Sequence, residues 1–182
     1  TRAKSRPPMH DATANEAHWT RSLDRLQSVR IALQGGAAAD DVARILAADG
    51  VEVCSPDQVR AQSSDLAVCS PACESPPLRV AADAAWESST RLLPVLLQGA
   101  VLSVGPLVDR NFSACLRCAI NHDAVNPAAS SVEPSVIAAG VIAREVMAIS
   151  AGIGSSALPL DRTRIDLATF QTRFLPAVTR PG

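Results

Sequence analysis

Two thiols stand three residues apart in the stretch Ser113-Ala-Cys-Leu-Arg-Cys118. Cysteines at this spacing hold one metal ion between them, because the two intervening residues fold into a tight knuckle. Cys115 and Cys118 are thus half of a tetrahedral zinc site, and the chain supplies no obvious second pair. The same thiols have two other readings. They form a redox pair if they open a helix, since thiols there are more acidic and Arg117 favours a thiolate, or they are two small buried side chains. His122 follows Cys118 by four residues and shares its face if the segment is helical. Cys69 and Cys73 form a looser pair, which could approach the first if the strand ending at Cys69 neighbours the strand ending before Gly105. Cys54, on an apolar strand, reads as core.

A second candidate is the glycine turn Gln34-Gly-Gly-Ala-Ala-Ala39, between a strand and a helix. A phosphate-binding turn of the Gly-x-Gly-x-x-Gly kind belongs at that place. Gln34 falls on the first glycine position, Gly36 on the second and Ala39 on the third, with Gly35 between. Glycine at the second position lets backbone approach phosphate, and alanine is tolerated at the third. Glutamine fits the tight first position poorly. Asp40 and Asp41 then put two negative charges where phosphate needs a bare helix N-terminus. A structural turn is the default reading. No nucleophile, base and acid assemble elsewhere: the chain has no Gly-x-Ser-x-Gly and only three histidines.

The elements that position these residues follow from periodicity. Trp19, Leu23 and Leu26 form the stripe of an amphipathic helix over residues 14–27, with His18 beside it as a surface residue. Residues 29–33 read as a buried strand, 40–49 as a helix with Val42, Ile45 and Leu46 on one face, and 51–54 as a second strand. Further strands are expected at 66–69, 93–97 and 101–104, with a helix over 78–88 between the first two of these. Residues 135–151 form a helix apolar nearly all round, expected to be buried between elements or at a subunit contact. Residues 162–168 and 172–175 read as a closing hairpin. Alternating strands and helices give a Rossmann-like, doubly wound α/β domain with a mostly parallel sheet and a C-terminal β-hairpin. The expected division is a tail and helix over 1–28 and the α/β domain over 29–182.

Bulk properties narrow the function. The 182 residues suffice for one well-buried core, 47% of them apolar but only 3% aromatic, so Ala, Val, Leu and Ile must build it. A net charge of −1 gives no footprint for nucleic acid or an anionic membrane. No apolar run approaches the roughly 20 residues of a membrane span, and no secretory signal opens the chain. Five cysteines, an odd number and not spaced as a disulfide framework, suit a reducing cytoplasm. Residues 1–11, with Pro7-Pro8, read as a loose tail or linker. The absence of an initiator Met raises the expectation of a processed protein or a fragment.

Val104-Gly-Pro-Leu-Val108 followed by Ser113-Ala-Cys-Leu-Arg-Cys118 resembles the signature of ThiF-like proteins from clusters that make thiazole/oxazole-modified peptides. These are the bacteriocin-biosynthesis cyclodehydratase and leader-peptide-binding family, with the fold of ThiF-type and ubiquitin-activating adenylating enzymes. The resemblance runs from about Val29 to the C-terminus and includes the closing hairpin around Arg164-Ile-Asp-Leu-Ala-Thr-Phe-Gln-Thr-Arg-Phe174. In the family a second Cys pair after that hairpin completes the zinc site, so any zinc here is expected to be partial, held by Cys115 and Cys118. Catalytic members carry an intact glycine turn and an acidic ribose ligand after the second strand. Here the turn is degraded, Asp57 is only a loose match for the acid, and Arg60 is the only base between 54 and 66. The winged-helix leader-binding domain that many members carry before this fold is expected to be absent, since about 28 residues cannot make it.

The resemblance implies a non-adenylating scaffold or peptide-binding component of a cyclodehydratase-type system. It would act beside a YcaO-type cyclodehydratase and a precursor peptide, as a homodimer, with no nucleic-acid or membrane partner. An ATP-dependent adenylating enzyme using Gly35, Gly36, Ala39 and Asp57 is the alternative, and a structural piece of a longer protein is the third reading.

Overall fold

The computed structural model describes residues 12–34, 38–55, 66–69, 76–110, 113, 136–153 and 161–176. Its elements run in order as α1 (Ala12–Ser28), β1 (Arg30–Gln34), α2 (Ala39–Ala48), β2 (Glu52–Cys54), β3 (Leu66–Cys69) and α3 (Pro76–Glu87). They continue with β4 (Arg91–Gln98), β5 (Val101–Val104), α4 (Val136–Ala151), β6 (Asp161–Asp166) and β7 (Thr172–Pro176). Each expected element is present, with ends displaced by a residue or two. Helix α3 begins on Pro76-Pro77, where a fixed φ and a missing N–H cost a helix nothing.

The strands form one seven-stranded sheet in the order β2-β1-β3-β4-β5-β6-β7. The pairings β1 with β2, β1 with β3 and β3 with β4 are parallel. From β4 onward each pairing is antiparallel: β4 with β5, β5 with β6, β6 with β7. A parallel α/β core therefore passes into an antiparallel end.

The core is aliphatic. Ile31, Leu46, Leu66, Leu93, Leu102, Ile142 and Val146 are essentially fully buried. Each such side chain contributes about 1.5–3 kcal/mol when taken out of water. Five consecutive residues of β4, Leu92 to Leu96, are buried, so both faces of that strand are covered, as a parallel sheet requires. Helix α4 packs against α2 and α1. Its Ala139, Ile142, Ala143, Val146 and Ile149 join the core cluster of Leu93, Val95, Leu102 and Val104. Most of α4's apolar surface is thus met inside the chain; Val136 and Ile137 at its start remain exposed.

Helix α1 differs from its expected packing. Trp19 and Leu23 are 54% and 56% exposed, whereas Ser22 is buried. Of the expected stripe, Leu26 packs against the core. A helix seated on another helix near its C-terminal end buries that end's face, and the bulky Trp is left outside. His18 lies on the surface, its ring edge-on to Trp19 at 6.3 Å between centroids.

Helices α2 and α4 end in the same way. Val51 N–H donates to Leu46 O at 3.0 Å and Ile153 N–H to Ala148 O at 3.0 Å, with Gly50 and Gly152 at φ 77° and 68°. These bonds satisfy carbonyls the helix end leaves without partners. Helix α3 closes identically through Thr90 N–H to Ala85 O at 2.8 Å, but its left-handed residue is Ser89, at φ 56°.

Candidate functional site

In an open α/β sheet, ligands sit outside the C-terminal ends of the strands where the strand order reverses. Here β1 connects to β2 on one side and pairs with β3 on the other, so that point lies beyond Gln34 and Cys69. A crevice does lie there, lined by Leu33, Gln34, Ala38, Ala39, Val42, Val68 and Ile142. It encloses about 10 Å³, room for roughly one water molecule. Its lining is apolar except for Gln34.

The glycine turn joins β1 to α2. Gln34 is the last residue of β1 and Ala39 the first of α2. Ala39 is half-buried in the crevice wall. Gly35, Gly36 and Asp57 lie outside the described residues. At the N-terminus of α2, Ala38 offers no side-chain cap, and Asp40 and Asp41 occupy the first turn. Asp41 is ion-paired with Arg44, three residues on. Two carboxylates there offset the positive end of the helix dipole and repel a phosphate. Among the described residues, the arrangement packs a helix onto a strand.

The cysteine segment enters from elsewhere. After β5 the chain passes a cis Gly105–Pro106 bond and lays Val108 against Leu92, each donating its N–H to the other's carbonyl at 2.8 Å. Leu107, Val108 and Asp109 are buried. Ser113 is then tied back to Asp109: its N–H donates to Asp109 O at 2.9 Å, and its Oγ accepts from Asp109 N–H at 2.6 Å. Leu92 is near the start of β4, so Val108 and Asp109 lie toward the end of the sheet opposite the crevice. Cys115, Cys118 and His122 lie outside the described residues.

Cys69 could approach the first pair if β3 and β5 were neighbours. They are not: β4 lies between them. Among the described residues no group of three or more His, Cys, Asp or Glu could hold a metal ion. Cys54, expected in the core, is half-buried at the end of β2. Burial pushes its thiol pKa up, with Arg30 opposing and Glu52 adding to the shift, so it is held as a thiol rather than a thiolate.

The second cleft was not foreseen from the sequence. It lies on the antiparallel end, has a volume of about 270 Å³, and is lined by Val101, Arg164, Asp166, Gln171, Arg173 and Leu175. Its signal was present as alternation: Arg164 and Asp166 share one face of β6 while Thr163 and Ile165 take the other.

Fold and crevice together define a doubly wound α/β domain with an antiparallel extension. No family model matches the chain, and no curated protein matches it in sequence. Solved structures do match in fold. The heterocyclase TruD superposes with a TM-score of 0.70 at 18% identity, over 96% of this chain and 30% of that one. Escherichia coli MccB, described as a microcin C7 biosynthetic enzyme, superposes with a TM-score of 0.69 at 12% identity, over 94% of this chain and 71% of that one. PaaA gives 0.65 at 14% identity, over 97% and 77%. MccB has been crystallised with N-formylated MccA, and a heterocyclase with substrate and cofactor. Among the described residues no helix is long and apolar enough to cross a membrane.

Proposed function

We propose that this chain is a ThiF-like, non-adenylating scaffold and peptide-binding component of a cyclodehydratase-type peptide-modification system. The observation that carries the reading is the crevice at the strand-order reversal. In a fold shared with MccB and TruD it is narrow and lined by aliphatic side chains, with Asp40 and Asp41 at the helix start. Such a site supports packing better than phosphate binding. The part left to the chain is to hold a precursor peptide for a separate, ATP-using YcaO-type cyclodehydratase that acts on Cys, Ser or Thr.

The test has two arms. Titration of the chain alone with ATP–Mg should give a dissociation constant of about millimolar or weaker, and no ATP–pyrophosphate exchange. Adding the chain to a YcaO-type partner and precursor peptide should raise the yield of peptide that has lost water, read by mass spectrometry. Micromolar ATP binding with exchange would make the chain an adenylating enzyme instead. No effect on the partner's yield would remove the scaffold role. Cys115 and Cys118 are proposed as the two thiolates of a labile zinc site, and the homodimer as its solution state; metal analysis after chelator treatment and light scattering test these two points.

A further inference from the structure

The register β5–β6–β7 puts Ser103, Arg164 and Arg173 in one row across the sheet, with Val101 and Asp166 paired in the next. Arg164 and Arg173 are thus directly opposite each other on adjacent strands, and both are exposed. Like charges in that relation destabilise a hairpin. Neither arginine joins an ion pair among the described residues, where the pairs are Arg44 with Asp41 and Arg144 with Glu145. Asp166, the acid of the cleft, has its Oδ1 engaged by the backbone N–H groups of Ala168 and Thr169 at 2.9 and 3.0 Å.

Beside this row the sheet ends, among the described residues, in an unpaired edge. Strand β7 is the last in the order and pairs only with β6 among the described residues. Asp166 N–H donates to Gln171 O at 2.9 Å. Since paired and unpaired positions alternate along an antiparallel ladder, the backbone polar groups of Thr172 and Phe174 point away from β6. Pro176, at the next outward position, has no N–H to offer. On the opposite face of the same edge Phe174 is 61% exposed.

We propose that β7 is the docking edge for an extended acidic peptide, which adds an eighth strand. Its carboxylates alternate onto the Arg164–Arg173 face and its apolar side chains onto Phe174. The charge of the cleft selects an acid, the free edge supplies main-chain bonds, and the period of two sets the pattern acidic–apolar–acidic. The choice of a peptide rests on the function proposed above. Two arginines in a chain of net charge −1 are too few for a nucleic-acid surface. A second copy of β7 would bring further arginines to the same cationic face.

Fluorescence anisotropy with a fluorescein-labelled synthetic peptide of alternating Glu and Val tests this on the full chain. Binding should weaken with salt and exceed that of the matching Lys–Val peptide and of a single-stranded RNA oligomer. Arg173→Glu should weaken it about tenfold or more through lost charge-assisted hydrogen bonds. The same change places a carboxylate opposite Arg164, so the protein's urea midpoint should hold or rise, which separates lost docking from lost folding. Phe174→Pro removes one outward N–H and should abolish binding, whereas Phe174→Val should retain it. Equal binding by the Lys–Val peptide, tighter binding of the RNA, or full binding by Arg173→Glu would overturn the proposal. So would a dimer that Phe174→Pro dissolves, because the edge would then belong to a second copy. Glu–Val binding without any rise in the YcaO partner's yield would leave the docking edge standing and sink the scaffold role. The reverse result would sink the docking edge alone.

Discussion

The two ends of the sheet are built on opposite terms. In the parallel end, β1, β3 and β4 are covered on both faces by aliphatic packing, and even the crevice at the strand-order reversal is walled by Leu33, Val42, Val68 and Ile142. In the antiparallel end, β7 is exposed at four of its five positions, and Arg164, Asp166 and Arg173 line an open cleft. Among the described residues, the end where this fold class places ligands holds little polar chemistry, and the end that serves as an extension holds more. Position in a fold therefore does not assign function; the side chains at the site do.

If that contrast is real, truncations should divide along it. Leu93→Ala, at a fully buried position of β4, should cost about 2–5 kcal/mol, transfer and cavity terms together. Leu175→Ala, on the half-buried edge position of β7, should cost well under half of that, since the site is already partly in water. Urea denaturation of both variants checks the ratio. Equal losses would mean that the hairpin is as much a part of the core as β4.

Helix endings sharpen the same comparison. Gly152 closes α4 at φ 68°, and a Cβ there would lie 2.7 Å from Nη1 of Arg25. Arg25 places its charge at the C-terminal end of α4, where a cation is favourable. Gly152→Ala should therefore cost about 1–2 kcal/mol from the left-handed backbone and loosen the seating of α1. Thermal melting reads the first, and protease cutting within α1 the second. A neutral result would mean that α1 is held by Leu26 alone. At the matching position of α3 stands Ser89, at φ 56°, so Ser89→Gly should gain at most about 1 kcal/mol. A loss on that substitution would show that the serine side chain has a role of its own.

The parallel end was legible because each element carries a strong local signal. Aliphatic runs of strand length, Gly50 and Gly152 after helical patterns, and Gly105-Pro106 after β5 all act within a few residues. Partnership across the sheet was less so. Nothing local says that β4 separates β3 from β5, so the adjacency that would have brought Cys69 toward the first pair does not exist. Nor does local pattern show which side of α1 faces inward, so Trp19 and Leu23 read as buried when Ser22 is. The Arg164–Arg173 pair needed a register, and register needs the hairpin: residues nine apart meet only through the turn at Asp166. Of the candidate site, Gln34 ends β1 and Ala39 opens α2, each one residue inside the element rather than in the turn, while Gly35, Gly36, Asp57, Cys115 and Cys118 lie outside the described residues.

The smallest predicted effect concerns that turn. Backbone N–H groups of Thr169 and Ala168 donate to the carboxylate of Asp166 and hold its pKa below the ordinary value, the Thr169 contribution being the larger. A depressed carboxylate favours folding when ionised. Its contribution is complete above the unfolded pKa of about 3.9 and is lost as pH falls through the lower folded value. Asp166→Asn keeps an oxygen acceptor for the turn but removes the titration, so the variant's stability should fall less than that of the parent between neutral pH and about pH 3. Asp166→Ala should lose the turn's two hydrogen bonds at every pH. Because the carboxylate is only partly covered and is screened by solvent, both effects should be small in urea midpoint. The same Asp166→Asn change also removes the negative charge that, among the described residues, lines the Arg164–Arg173 cleft. Affinity for the Glu–Val peptide should therefore rise as the acid-linked stability falls. A variant that lost stability without gaining affinity would separate the turn from the cleft, and the antiparallel end would then be a structural cap rather than a binding surface.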